Sequence, residues 1–372
     1  MRMDSPIKIS QPLFGAEEEE ALLRVFHSGS WAGGAEVDLL EYEMAQVINV
    51  NHAIAVSSGT AALEAALAGL GIGRGDEVIT TAFSFFATAE AIIRVGALPV
   101  FADIEPETLN ISPQSVNNLI SSRTVAILPV HLYGRPCDMD SLQSLARRHG
   151  LAIVEDACQS IGASFRGKAT GSFGTGCFSF YGSKNITCGE GGMVTTNDAN
   201  TAKRIRLLRQ HGVAEQAYKH TEVATNWRMT DLQASILRVQ LKRLPNITFH
   251  RQENAAYFMK QFSDLPILLP LPNDETFQSV FHQFTIQVSP GQREKMMRKL
   301  EEANIQSRIY YPEPLPEAPA LQFMFSEKKI NLPKSYTASR QVFSIPVHAA
   351  LEEKSKEFIV ETVHNAALQL SD

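Results

Sequence analysis

The sequence has no apolar run approaching the roughly 18 residues that a bilayer-spanning helix needs. Its opening residues, MRMDSPIKIS, carry no apolar stretch of the kind that forms the centre of a signal peptide. The expectation is a cytoplasmic protein with no membrane partner. Cysteine is scarce. Cys137, Cys158, Cys177 and Cys188 are the only four in 372 residues, and none stands in the C-x-x-C spacing used for zinc or thiol redox work. Free thiols and no metal are expected. An excess of one charge is also lacking: 34 basic residues face 40 acidic ones, without a basic cluster, so nucleic acid has no electrostatic footprint here. The one like-charge block, residues 17–20, suits the solvated first turn of a helix, where carboxylates meet the positive end of the dipole. No G-x-G-x-x-G opens a helix, which counts against a dinucleotide fold. Gly162-Ala-Ser-Phe-Arg-Gly167-Lys168 matches most of a P-loop, but Ala169 offers no hydroxyl for magnesium and no apolar helix follows. A hairpin turn around Arg166-Gly167 is the better reading.

What is present describes a large α/β protein. The length exceeds what one small core organises, so two parts are expected. Residues 77–81, 98–104, 125–132 and 151–157 read as strands. Helical patterns over 60–70, 86–95 and 139–149 alternate with them, the last ending at Gly150. Such alternation implies a largely parallel sheet covered on both faces. The character changes near Leu244-Pro245. A helix over 247–262 follows, then a turn-rich stretch over 268–274, a strand over 281–288, and helices over 293–303 and 354–370. The division expected is 1–245, an N-terminal arm with the large domain, and 246–372, a smaller α+β domain.

Ligands in open α/β sheets collect beyond the carboxyl ends of the strands. The strand over 151–157 ends in Glu155 and Asp156. A solvated turn carboxylate is the ordinary reading of Asp156; the functional one is a carboxylate at the sheet's rim paired with a cation, such as a protonated pyridine nitrogen. Residues 177–192 form the most informative stretch, an aromatic strand running through Gly182-Ser183-Lys184 into Gly189, Gly191 and Gly192. Most lysines are solvated. One buried in this way has its pKa lowered, and the neutral amine can then bond an aldehyde. Val56-Ser-Ser-Gly-Thr-Ala-Ala62 opens an apolar helix, where Ser58 or Thr60 serves as a plain N-cap or marks an anion site.

In order and spacing these segments resemble the DegT/DnrJ/StrS nucleotide-sugar aminotransferases, which are fold type I pyridoxal-phosphate enzymes. The segments are Ser58-Gly-Thr60, Val130-His-Leu-Tyr-Gly134, Glu155-Asp-Ala-Cys-Gln159, Phe178-Ser-Phe-Tyr-Gly-Ser-Lys184, Gly189-Glu-Gly-Gly192 and Asn226-Trp-Arg-Met-Thr-Asp231. The resemblance implies a mostly parallel seven-stranded sheet sandwiched by helices, plus the smaller α+β domain. It makes Lys184 the lysine that bonds the cofactor's aldehyde and Asp156 the partner of the pyridine nitrogen, the two catalytic residues. Gln159 lies beside the ring hydroxyl and Phe85 stacks on the ring. Ser58, Gly59, Thr60, the Ala61 N–H and Ser179 look like the phosphate site. Asn226 resembles a residue that reaches a neighbouring subunit's phosphate, implying a homodimer with shared sites. Cys188, Trp227 and Cys158 depart from the commonest family pattern, which bears on substrate fit. A dehydratase branch carries histidine in place of the lysine; this chain keeps Lys184.

The activity implied is transfer of an amino group from an amino acid, L-glutamate, to a keto group of a nucleotide-linked sugar, through pyridoxal and pyridoxamine phosphate. The stretch from Phe26 to Gly34, together with the Tyr-Gly-Ser-Lys-Asn-Ile-Thr core, looks most like members that aminate C4 of a 4-keto-6-deoxy sugar. C3-keto sugars, cyclitol ketones and a non-catalytic regulator of the same fold are the alternatives. Trp31, Arg228, Tyr310 and Tyr311 are candidates for the sugar pocket or for interface packing.

Overall fold

A computed structural model of the chain describes residues 5–213, 218–325 and 330–368. Seven strands make the central sheet: β1 His52–Val56, β2 Glu77–Thr81, β3 Leu98–Ala102, β4 Thr124–Leu128, β5 Ala152–Asp156, β6 Thr175–Ser179 and β7 Gly192–Thr196. Their spatial order is β1-β7-β6-β5-β4-β2-β3. The pairs from β3 across to β6 are parallel, and β7 alone runs antiparallel to both of its neighbours. This is the mostly parallel seven-stranded sheet the resemblance implied.

Period-two alternation distributes the side chains between two layers. Val78, Leu128 and Val154 pack on one face with the alanine-rich helix Gly59–Gly69. Ile79, Ile127 and Ile153 pack on the other with Met139, Leu142 and Leu145 of the helix Met139–His149. Both faces are apolar because both are covered. Each such fully buried side chain contributes about 1.5–3 kcal/mol before entropy is counted. The turn at Arg166-Gly167 does join two short antiparallel strands, with both residues at positive φ (49° and 75°).

Beyond the sheet, β8 (Phe284–Gln287) pairs antiparallel with β9 (Val342–Ile345). The helices Arg293–Glu302 and Glu353–Leu368 close a separate core around Phe258, Phe262, Phe284 and Phe343. The expected end of the terminal helix, Leu370, lies outside the described residues. Ile7 belongs to this same core. It is tied to the main chain on both sides, with its N–H donating to the Asn304 carbonyl at 3.0 Å and its carbonyl accepting from the Gln306 N–H at 2.9 Å. The segment then passes the large sheet, where the Ser10 hydroxyl donates to the Ser183 carbonyl at 3.2 Å.

Two expectations change. The helix expected over 247–262 is a 31-residue helix, Asp231–Gln261, with Pro245 inside it. Thr230 and Gln233 form a capping box that starts it early. Proline costs one backbone hydrogen bond, but Leu237, Leu241, Leu244 and Ile247 stay buried on both sides of it. The proposed division at 245 therefore falls inside a helix rather than in a linker. The acidic run is only partly solvated. Glu18 is 4% exposed, accepts the Gly15 N–H at 2.8 Å and the Gln240 amide at 2.7 Å, and pairs with Arg243 at 3.1 Å.

Candidate active site

The reversed strand β7 leaves the carboxyl ends of β1, β2, β4, β5 and β6 on one rim, and a cavity of about 640 Å³ opens there. Each strand delivers a wall. β1 leads to Ser58, β2 to Ser84 and Phe85, β4 to Tyr133, β5 ends on Asp156, and β6 runs from Ser179 to Lys184. Tyr310, Tyr311 and His282 close the cavity from the C-terminal part.

Glu155 and Asp156 end the same strand, yet alternation sends them to opposite faces. Glu155 is fully buried away from the cavity. It accepts the N–H groups of Gly171, Phe173 and Gly174 at 2.7–2.9 Å, and the His131 Nε2 lies 3.0 Å away. Because His131 Nδ1 accepts the Cys137 N–H, its proton sits on Nε2 and donates to Glu155. Glu155 is a structural anion. Asp156 faces the cavity, 5% exposed; Oδ1 accepts the Cys158 N–H at 3.2 Å and Oδ2 accepts the Thr88 hydroxyl at 2.8 Å.

Lys184 closes a tight turn, its N–H donating to the Tyr181 carbonyl at 2.9 Å, between the buried Phe180 and Ile186. Burial pushes its amine below the usual lysine range, and the nearby Cys158 and Asp156 only partly offset that. The amine is thus biased toward its neutral, nucleophilic form. Burial pushes His282 well below the usual imidazole range, and any positive charge at Lys184 or Arg251 pushes it the same way. The Asn185 amide nitrogen donates to the Val280 carbonyl, so its oxygen faces His282 Nδ1 at 3.1 Å and fixes the proton there.

At the opposite wall, Ser58 caps the helix Gly59–Gly69, with its Oγ accepting the Ala61 N–H at 3.1 Å. The N–H groups of Gly59 and Thr60 have no intrahelical acceptor and lie at the positive end of the helix. A Cβ on Gly59 would stand 2.6 Å from Ser179 Cβ, so only glycine lets helix and strand β6 approach this closely. Gln159 is already engaged; its oxygen accepts the Tyr133 N–H at 2.8 Å and its amide donates to the Tyr311 hydroxyl at 3.0 Å. Burial raises the Tyr311 hydroxyl well above the usual phenol range.

The cavity therefore gathers Ser58, Gly59, Thr60, Phe85, Asp156, Gln159, Ser179, Lys184, Tyr310 and Tyr311. Ala61 sits just behind it. Asn226 is exposed elsewhere, its side-chain oxygen accepting the Arg228 N–H at 3.2 Å, and neither lines the cavity. Trp31 also stands apart, 48% exposed and stacked on Phe26. Sequence reasoning did not single out Thr88, His282 or Ser84. Tyr133 stood inside a quoted motif without a role.

The family model for the DegT/DnrJ/EryC1/StrS aminotransferases matches residues 12–364. The chain is 39% identical to the UDP-N-acetyl-3-dehydro-α-D-glucosamine 3-aminotransferase of Acidithiobacillus ferrooxidans, covering 89% of this chain and 88% of that protein. It is 38% identical to the dTDP-3-amino-3,4,6-trideoxy-α-D-glucose transaminase of Streptomyces venezuelae, over 95% and 92% of the two chains. Among solved structures, the PLP form of the putative sugar aminotransferase Spr1654 from Streptococcus pneumoniae superposes with a TM-score of 0.93 at 27% identity, covering 98% and 99% of the two chains.

Proposed function

The chain belongs to the DegT/DnrJ/EryC1/StrS aminotransferase family, and we propose that it transfers the amino group of L-glutamate to a keto group of a nucleotide-linked sugar. It is a sugar aminotransferase, and its cofactor is pyridoxal 5'-phosphate. The observation that carries the proposal is the meeting of three groups around one cavity: a desolvated amine at Lys184, a buried carboxylate at Asp156, and a helix N-terminus pressed against Ser179.

The donor set suits the cofactor. Gly59 and Thr60 N–H groups with the Ser179 hydroxyl would take its phosphate. Asp156 would pair with the ring nitrogen, Gln159 would stand beside the ring hydroxyl, and Phe85 would cover one face. When bound, the cofactor supplies an aldehyde that exchanges with the amino group and a ring that takes up electrons released at the substrate carbon. Lys184 would accept the proton from the donor's α-carbon as a neutral amine and deliver it, as an ammonium, to the carbon that carried the aldehyde, general base and then general acid. Gly189, at φ 88°, turns the chain just before Glu190, which lines the cavity wall.

We further propose a homodimer with shared sites. Asn226, Trp31 and Arg228 do not line the chain's own cavity, which supports a role for them at a neighbour's. Exposed Phe14, Phe26, Trp31 and Tyr42 offer apolar area for an interface. The proposed domains are a large unit, 1–245, and a smaller one, 246–372, joined through the helix Asp231–Gln261 that both share. Among the described residues no helix is long and apolar enough to cross a membrane, and we propose cytoplasmic action.

For the ring position there are two readings. C4 of a 4-keto-6-deoxy sugar is the expectation from the sequence. C3 is favoured by the names of the two relatives above, both of which specify nitrogen chemistry at C3. A panel of dTDP-, UDP- and GDP-linked 3-keto and 4-keto sugars tests both, with the aminated carbon located by NMR. Glutamate alone should convert the absorbance of the bound cofactor, and the accepting sugar should restore it. Absence of any spectral change with glutamate would mark a non-catalytic regulator and reject the reading.

A further inference from the structure

Thr88 lies on the helix Ala87–Arg94 with no exposed surface. A helical threonine commonly bonds a carbonyl one turn back. This one instead donates to Asp156 Oδ2 at 2.8 Å. The Ser84 Oγ lies 2.9 Å from the Thr88 Oγ1. Thr88 has a single hydroxyl hydrogen, and the carboxylate, an acceptor only, takes it. Ser84 must therefore be the donor to Thr88. The result is a directed chain, Ser84 to Thr88 to Asp156, in which each bond polarises the next. Ser84 and Thr88 are, respectively, 3% and 0% exposed, so water does not compete for these groups.

The second carboxylate oxygen is held by the Cys158 N–H at 3.2 Å. The two oxygens are thus fixed from separate elements, a helix and the strand's own continuation. Ser84 also precedes Phe85, whose ring lines the same cavity, so the chain joins the carboxylate to the turn that carries the aromatic cover.

We propose that Thr88 is a positioning residue: its hydroxyl, braced by Ser84, fixes the orientation of the Asp156 carboxylate and holds it as an anion toward the cofactor's ring nitrogen. This rests on the pyridoxal-phosphate reading of the cavity. Donation to the charged form of a carboxylate favours that form, and a charged carboxylate in turn keeps a facing pyridine nitrogen protonated.

The test compares Thr88→Val, which removes the hydroxyl at nearly constant volume, with Thr88→Ser, which keeps it. Each is reconstituted with pyridoxal phosphate carrying nitrogen-15 in the ring. Thr88→Val should bind the cofactor but shift the ring-nitrogen resonance toward the neutral position. Its single-turnover rate with glutamate should fall about tenfold or more, as expected for loss of a hydrogen bond to a charged group. Thr88→Ser should match the wild type in both readouts. A wild-type resonance in Thr88→Val would overturn the proposal, as would equal damage in both variants, since that would indicate packing by the side-chain methyl. Should Thr88→Val not fold, Ser84→Ala takes its place. It should move the resonance the same way by a smaller amount, and no movement would overturn the proposal. A wild-type protein that binds no pyridoxal phosphate refutes the cofactor reading itself, whereas one that binds it with a neutral ring nitrogen leaves that reading standing and overturns the role of Thr88.

Discussion

Replacing Asp156 by asparagine tests the proposed electrostatics with little disturbance of the fold. The amide has the same shape, and its surroundings can accept it. Its oxygen can keep the Cys158 N–H, now at 3.2 Å. Its nitrogen can donate to the Thr88 hydroxyl, which then turns its own hydrogen toward Ser84, 2.9 Å away. Only the Ser84 hydrogen is displaced, and Ser84 lines the cavity into which it can turn, so the loss of stability should not exceed about 1 kcal/mol. What disappears is the negative charge. At a separation of about 4 Å and an effective dielectric of about 20, one charge pair is worth about 4 kcal/mol. With about 1.4 kcal/mol per decade, the protonated share of a facing ring nitrogen falls by up to ~10³-fold. Stopped-flow conversion of the bound cofactor by L-glutamate should therefore slow by about two to three decades, while the cofactor still binds. A single-turnover rate within threefold of wild type would remove Asp156 from the mechanism.

Lys184→Ala should take up pyridoxal phosphate without the absorbance of the lysine-bound form, and borohydride followed by peptide mass analysis should find the cofactor fixed at Lys184 in the wild type and at no lysine in the variant. Labelling at another lysine would relocate the reactive amine. Glu155→Gln should lower unfolding free energy by about 2–4 kcal/mol in urea, because one of its two oxygens becomes a donor facing N–H groups. An unchanged midpoint would contradict its role as the buried acceptor for His131 and three main-chain amides. Acid should destabilise the fold through His348, whose pKa is lowered from 6.5 to about 4 by burial and by the charge of Arg251. The unfolded chain binds this proton below about pH 6.5 and the native one only near pH 4, so stability falls as pH drops across that window, by at most about 3 kcal/mol. His348→Gln keeps a donor for the Lys8 carbonyl and should flatten the slope measured between those limits. An unaltered slope would show that other groups carry it.

Much of this was legible in the chain because it depends on local pattern. Strand β2 occupies the residues expected, and the helix Met139–His149 ends at Gly150 in the left-handed conformation its lack of a Cβ permits. Asp156 ends one strand and Lys184 lies in the turn that follows the adjacent one, so one rim brings both to the same cavity. Other parts depend on tertiary context. Strands β1 and β7 are five residues each and were not expected. β7 follows a glycine turn, and nothing local announces that it reverses direction. The first half of the helix Asp231–Gln261 was hidden by Pro245, which reads as a stop until packing on both sides is known. Thr88 and His282 look like ordinary core residues in sequence. Their partners lie 68 and 97 positions away, respectively, beyond the reach of any periodicity.

The pairing of Ile7 with Asn304 and Gln306 sets a schedule for biosynthesis. Translation at about 5–20 residues per second separates these partners by roughly 15–60 s. For most of that interval Ile7 has neither its main-chain partners nor its apolar neighbours, because Phe258 and Phe284 are made only towards its end and Phe343 after it. The sheet can assemble on the ribosome as its strands emerge, but the last core waits for the two ends of the polypeptide to meet. A chain stalled before residue 304 would leave the Ile7 N–H and carbonyl without these partners, three residues from the Ser10 hydroxyl that meets the Ser183 carbonyl.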